Sequence, residues 1–197
     1  MPADIIKVDP QSIRSYAQAT QGHADGIGQE LKALGDGLVN VSYDGPNAHA
    51  FKSQGSQLAS DFATKLSASL SDITAAVRGS TSNISQALGG ATIPISLTPP
   101  SVPMPAVPPA GEIVSMDTSG LTSLITQVNG HRDAIHTHLD GHLSTLQNTD
   151  WQGNAKNTAV SQVGQLTGKA KATVNDGFDS ITKFIQKQID AVHAADR

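Results

Sequence analysis

Four of the seven histidines in this 197-residue chain crowd into one stretch, at His131, His136, His138 and His142. It is the densest gathering of side chains able to do chemistry. His138 and His142 have the i, i+4 spacing that sets two imidazoles on one helix face, where they could hold a metal ion between them. No carboxylate or third ligand stands at a recognisable spacing, so the plainer reading is a solvated or core-edge histidine cluster, with the metal pair as the lesser alternative. Such imidazoles charge between about pH 5 and 8 and would oppose packing once protonated, so a pH response is a further expectation. Asp25 and Asp133 follow His23 and His131 at the same distance in two places. Helix-surface hydrogen bonding explains that pairing more simply than a catalytic dyad.

Other chemistry is missing from the pattern. The chain has no cysteine, which removes disulfides, thiolate metal sites and cysteine nucleophiles. It also lacks a nucleophile elbow, a phosphate-cradling glycine loop, a His-Glu-x-x-His and paired acid/base carboxylates in a convincing context. The expectation is a non-enzymatic protein without a cofactor. A formal charge of −4 and a pI near 5.9 leave no basic footprint for nucleic acid. The start from Met1 to Lys7 does not read as a secretory signal, and no apolar run approaches the ~18 residues of a membrane span.

The elements that carry these residues follow from an internal repeat. An offset of 108 lays Val8–Leu88 over Met116–Asp196 without a gap. Asp9 then falls on Asp117, Gly22-His23 on Gly130-His131, Ile27 on Ile135, Leu31 on Leu139 and Leu38 on Leu146. Further on, Gln57-Leu58 meets Gln165-Leu166 and Ile73-Thr74 meets Ile181-Thr182. At the midpoint Tyr43-Asp44-Gly45 lands on Trp151-Gln152-Gly153, an aromatic-x-Gly in both copies. Between the copies lie prolines 94, 99, 100, 103, 105, 108 and 109, too dense for a helix and suited to an extended linker.

Within each copy, apolar residues recur at helical spacing on both sides of the aromatic-x-Gly. In the first copy the series runs Ile13, Tyr16, Ile27, Leu31, Leu34, Leu38, and then Phe51, Phe62, Leu66, Leu70, Ile73, Val77, Ile84, Leu88. In the second it runs Leu121, Leu124, Val128, Ile135, Leu139, Leu143, Leu146, and then Leu166, Val174, Phe178, Ile181, Ile185, Ile189. Asp9 and Pro10 make a cap and first helical residue. Each copy is thus a helical hairpin: residues 1–88, a Pro-rich linker over 89–115, and residues 116–197. Glycines 22, 26, 28, 35 and 37 fall inside the first helix; either they permit close packing or the helix breaks or kinks near 22–28. One hairpin leaves its seam uncovered, so the fold expected is all-α, two hairpins packed as a four-helix bundle.

A unit of about a hundred residues, with two amphipathic helices around an aromatic-x-Gly, resembles the WxG hundred-residue (Esx, ESAT-like) family. Trp151-Gln152-Gly153 matches its motif, and Tyr43-Asp44-Gly45 is a conservative departure, supported by Ala50-Phe51 downstream. The resemblance covers nearly the whole chain as two copies. It implies antiparallel hairpins, export by a type VII secretion system, and action through protein–protein contacts. Implied partners are the secretion machinery or a co-secreted Esx-like protein, with homo-oligomers as another arrangement and no nucleic acid. Implied localisation is cytoplasmic before export, then secreted or at the cell surface by a Sec-independent route. Tyr43, Gly45, Trp151 and Gly153 are the turn residues, which either build the hinge alone or also serve recognition. The family's Tyr-x-x-x-Asp/Glu address does not occur in Ile185–Arg197 or at Tyr16 or Tyr43. Either a partner supplies it, another signal serves, or export is not the role. The competing classes are a membrane-active or pore-forming helical protein and an intracellular adaptor of the secretion system.

Overall fold

The computed structural model describes residues 5–197; the first four residues of the segment assigned to hairpin one lie outside it. Four long helices carry the chain: α1 (Pro10–Asn40), α2 (Pro46–Ala87), α3 (Thr118–Gln147) and α4 (Asn154–Ala195). Four two-residue strands stand between and before them: β1 (Lys7–Val8), β2 (Tyr43–Asp44), β3 (Ser115–Met116) and β4 (Trp151–Gln152). The fold is an all-α four-helix bundle of two antiparallel hairpins, α1–α2 and α3–α4, joined by the Pro-rich linker.

The helix ends obey local rules read from the sequence. Asp9 Oδ1 accepts the Gln11 amide at 2.9 Å, and Asp117 Oδ1 accepts the Ser119 amide at 3.0 Å, so both hairpins start on an aspartate cap. Hydrogen bonding to Ser119 also holds the Asp117 carboxyl below its ordinary range. α2 stops where Gly89 turns to φ 78°. There Gly90 N reaches Ser85 O at 2.8 Å and Gly89 N reaches Gln86 O at 2.9 Å, the pair of bonds that satisfies orphan carbonyls past a helix end.

α1 runs unbroken through its five glycines. Gly26 faces the ring of His138, Gly35 the Met104 sulfur and Gly37 a Leu124 methyl, so three of the glycines serve close approach. Gly22 faces open space.

The chain forms two compact units, each taking a segment from all four helices. The first comprises the chain up to Ile27, Leu66–Pro100 and His136–Ala172. Its interior is built on Ile13, Tyr16, Ile73, Val77, Leu146 and Trp151, and the linker adds Ile93 and Ile95, both 3% exposed. Ser67 Oγ donates to Pro100 O, and Gln21 exchanges two bonds with the Thr98 backbone, so this part of the linker is strapped down. The second unit comprises Gly28–Lys65, Ser101–Ile135 and Thr173–Arg197. Leu31, Leu34, Leu38 and Ile185 fill it beside two aromatic pairs. Phe51 stacks on Phe184 at 4.9 Å between centroids, and Phe62 meets Phe178 edge-on at 5.1 Å. Sequence order gives hairpin, linker and hairpin; compactness instead groups pieces of both repeats, because the apolar stripe of one repeat is covered by that of the other.

Two glycines predict opposite stability changes. Gly22→Ala adds a methyl in open space and is expected to stabilise α1 by up to about 1 kcal/mol. Gly177→Ala drives its methyl into the Phe62 ring, which is held against Phe178, and is expected to cost about 1–2 kcal/mol after the helix-propensity gain. Thermal melts of the two variants should move in opposite directions.

Candidate functional site

Three places gather the residues singled out in the sequence. The first is the Trp151 turn. β4 pairs antiparallel with β1, Lys7 opposite Gln152 and Val8 opposite Trp151. The ladder is extended by Asp9 N to Asp150 O at 3.1 Å, while Asp150 N donates to Ser12 Oγ at 2.7 Å. Lys7 Nζ meets Asp150 Oδ2 at 2.5 Å, which raises the lysine pKa through the hydrogen bond and then the charge. Gly153 holds φ 112°, a conformation that side chains disfavour, and releases the chain into α4. The Trp151 ring is 0% exposed and its Nε1 has no hydrogen-bond partner among the described residues.

The Tyr43 turn repeats this plan at the 108-residue offset. β2 pairs with β3, Tyr43 opposite Met116 and Asp44 opposite Ser115, and Asp117 N reaches Ser42 O at 3.0 Å. Gly45 holds φ 108° against Val114. The Tyr43 ring is buried, lies edge-on to Phe51 at 5.7 Å, and its hydroxyl accepts Gln188 Nε2 at 2.8 Å. Burial raises its pKa. An open groove of about 610 Å³ lies beside this turn, lined by Tyr43, Asp44, Pro46, Val114, His193 and Asp196 among others. A second, of about 580 Å³, lies beside Trp151, with Gln152, Lys156 and Asn157 on its walls. In both turns the aromatic ring faces inward and the x residue, Asp44 or Gln152, faces solvent.

The histidines form the third place, and they do not act as a set of four. His138 and His142 share a face of α3, as their spacing requires, but take different partners. His138 Nδ1 lies 3.3 Å from His23 Nδ1. His142 Nε2 lies 2.5 Å from the Tyr16 hydroxyl, with the two rings tilted at 5.5 Å. Burial and then the charge of His23 push the His142 pKa down to about 4. Burial pushes Tyr16 up to about 12, so the phenol keeps its proton and shares a hydrogen bond with Nε2. Among the described residues His142 Nδ1 finds no hydrogen-bond partner. Thr20 Oγ1 stands close enough to hold the phenol pKa down slightly, yet makes no bond of hydrogen-bond geometry. His131 Nδ1 pairs with Glu30 Oε2 at 2.5 Å.

Asp25 accepts Gln21 Nε2 at 2.7 Å and Asp133 accepts Arg132 Nε at 3.1 Å. Among the described residues no group of three or more His, Asp or Glu side chains is arranged to hold a metal ion. No described helix is long and apolar enough to cross a membrane. Tyr16 is the residue that sequence reasoning missed: it appeared only as part of an apolar stripe. Its signal was present in the repeat, since Tyr16 and His142 fall on Leu124 and Leu34. Two positions that hold leucine in one half of the repeat hold a tyrosine and a histidine in the other.

Comparison with protein-family models, with curated proteins and with solved structures finds no match to this chain.

Proposed function

We propose that the chain is a tandem WxG-type protein, a covalently fused pair of Esx-like hairpins, exported by a type VII secretion system and acting through protein–protein contacts rather than catalysis. The observation that carries the reading is the reciprocal pairing at the two aromatic-x-Gly turns. The strand holding Trp151 pairs with the segment leading into the first repeat, and the strand holding Tyr43 pairs with the segment leading into the second. Each repeat thus completes the other's turn, as two partner hairpins would.

The buried rings of these turns support a mainly architectural part for Tyr43 and Trp151, with Gly45 and Gly153 setting the chain direction. Because the apolar stripes already cover one another, the chain needs no separate Esx-like hairpin to fold. Its contacts with secretion machinery or a co-secreted partner then fall on outer helical surfaces and on the polar residues flanking the turns. Export from the cytoplasm to the medium or cell surface is Sec-independent in this reading.

In its native host the protein is expected in the culture medium, falling to background when the membrane ATPase of the type VII system is deleted. Unchanged extracellular levels in the deletion strain, or an exclusively cytoplasmic protein, overturn the proposal.

A further inference from the structure

The repeat offset gives the histidine cluster of the first unit a counterpart in the second, and the two differ in what a proton does to them. His23 and His138 correspond to His131 and Glu30, and Tyr16 and His142 to Leu124 and Leu34. In the second unit His131 Nδ1 stands 2.5 Å from the Glu30 carboxylate, a partner of opposite charge to an imidazolium. In the first unit the partner of His23 is another imidazole, that of His138, at 3.3 Å between the two Nδ1 atoms. The glycines show that the ring pair is built in. A Cβ on Gly141 would come within 2.6 Å of the His23 ring, and one on Gly26 would collide with His138. Their counterparts in the second unit, Ala33 and Ala134, carry that methyl.

None of the residues lining the cavity at this cluster is acidic. A small cavity joins His23 of α1 to His138 and His142 of α3, and Tyr16 closes on His142 from α1. α2 faces this cavity with Leu70, Ile73 and Thr74 and the linker faces it with Leu97, none of them ionisable, and α4 contributes no lining residue. The acidic neighbours point away: Asp25 is exposed and bonded to Gln21, and Asp140 is exposed and paired with Lys171 of α4 at 2.8 Å.

We propose that this cluster is an acid-operated latch, whose protonation opens the first unit, the one holding the Trp151 turn, while the His131–Glu30 pair keeps the second unit closed. Burial and the neighbouring ring hold His23 below its ordinary pKa, in the direction the latch requires. In the neutral state His142 Nε2 shares a hydrogen bond with the Tyr16 hydroxyl; a second proton on the ring makes a buried cation with no carboxylate among the residues lining the cavity. Opening lets the ring take its proton in water instead.

The test is peptide-resolved hydrogen exchange on the full chain at neutral pH and about one and a half units below the ordinary histidine pKa, each peptide referred to its intrinsic rate at that pH. A histidine titrating at about 4 when closed and 6.5 when open makes opening about thirty-fold more favourable at pH ~5. Peptides within 10–27 and 136–147 are expected to lose protection by that order, while those within 28–40 and 118–135 hold theirs. Equal loss in both units, or none in the first, overturns the latch. Tyr16→Leu with His142→Leu installs the residues that stand at positions 124 and 34, and is expected to abolish most of the acid effect while keeping neutral-pH protection. Should that variant not fold, His23→Gln removes the neighbouring charge that adds to burial in holding His142 down, and is expected to reduce the effect in part. Either folded variant behaving as the parent at low pH overturns the assignment to these rings.

Discussion

Trp151→Ala is expected to destabilise the protein by about 3–5 kcal/mol, the largest loss from any single truncation of the aromatic-x-Gly turns. The ring is 0% exposed and sits opposite Val8 in the β1–β4 ladder, so its removal leaves a void that backbone held by ladder and cap bonds cannot easily close. Among the described residues the indole Nε1 has no hydrogen-bond partner, so the loss is chiefly one of packing. Trp151→Phe should therefore cost only about 1–2 kcal/mol, since it retains much of the ring and discards a buried, unpartnered donor. Tyr43→Phe removes the bond from Gln188 and should cost about 1 kcal/mol. Urea unfolding at neutral pH with unchanged m-values reads all three. A Trp151→Ala loss below about 1 kcal/mol would show that the ring does not hold the turn.

If the rings are architectural, recognition has to use what surrounds them. That separates two experiments which a family motif would merge. A Trp151→Ala protein that fails to leave the cell has failed first as a folded object, whereas Gln152→Ala alters an exposed side chain with little expected effect on stability. Loss of export in the second variant with its melt unchanged would point to a contact made by the turn itself. The proposed export role is therefore best probed at solvent-facing positions beside the motif.

Much of this architecture is written in short-range pattern. The Asp9 and Asp117 caps, the Gly89 stop and the two glycines at positive φ each depend on a few neighbouring residues, and the apolar stripes need only helical spacing. What pattern does not reveal is pairing across long stretches of chain. β1 and β3 are two residues long, too short for alternation, and become strands only because a turn more than a hundred residues away for one, and about seventy for the other, offers an edge. Ile93 and Ile95 look like linker residues because proline surrounds them, yet they are buried; the composition describes the backbone and not where it lies. Leu88 fits the α2 stripe by spacing but is 56% exposed, because α2 ends at Ala87, one residue before it. The histidines show the same limit. Their i, i+4 spacing placed His138 and His142 on one face, while their partners, His23 and Tyr16, come from α1 and set their chemistry.

Acid should cost this protein about 3 kcal/mol of stability through His142 alone, and Tyr16→Leu/His142→Leu should abolish that share. The sign follows from the direction of the shift. His142 is held down to about 4 from its ordinary 6.5, chiefly by burial, so above 6.5 it is neutral in both folded and unfolded chains and full stability is present. As pH falls from about 6.5 to about 4 the unfolded chain binds a proton that the folded chain refuses, and stability is lost through that window. Below it the loss is complete. The double substitution supplies the two leucines that the second unit carries at Leu124 and Leu34, so an apolar pairing of this kind already packs in the same protein. Leucine is smaller than tyrosine, and absolute stability at neutral pH can shift in either direction. The measured quantity is therefore the difference between unfolding free energies at pH ~7 and pH ~4, in which carboxylate titration is common to both proteins and cancels. That difference is expected to shrink by about 3 kcal/mol in the variant. Parallel pH profiles for parent and variant would show that His142 takes up its proton as readily folded as unfolded, and would remove the physical basis for acid sensitivity in this core.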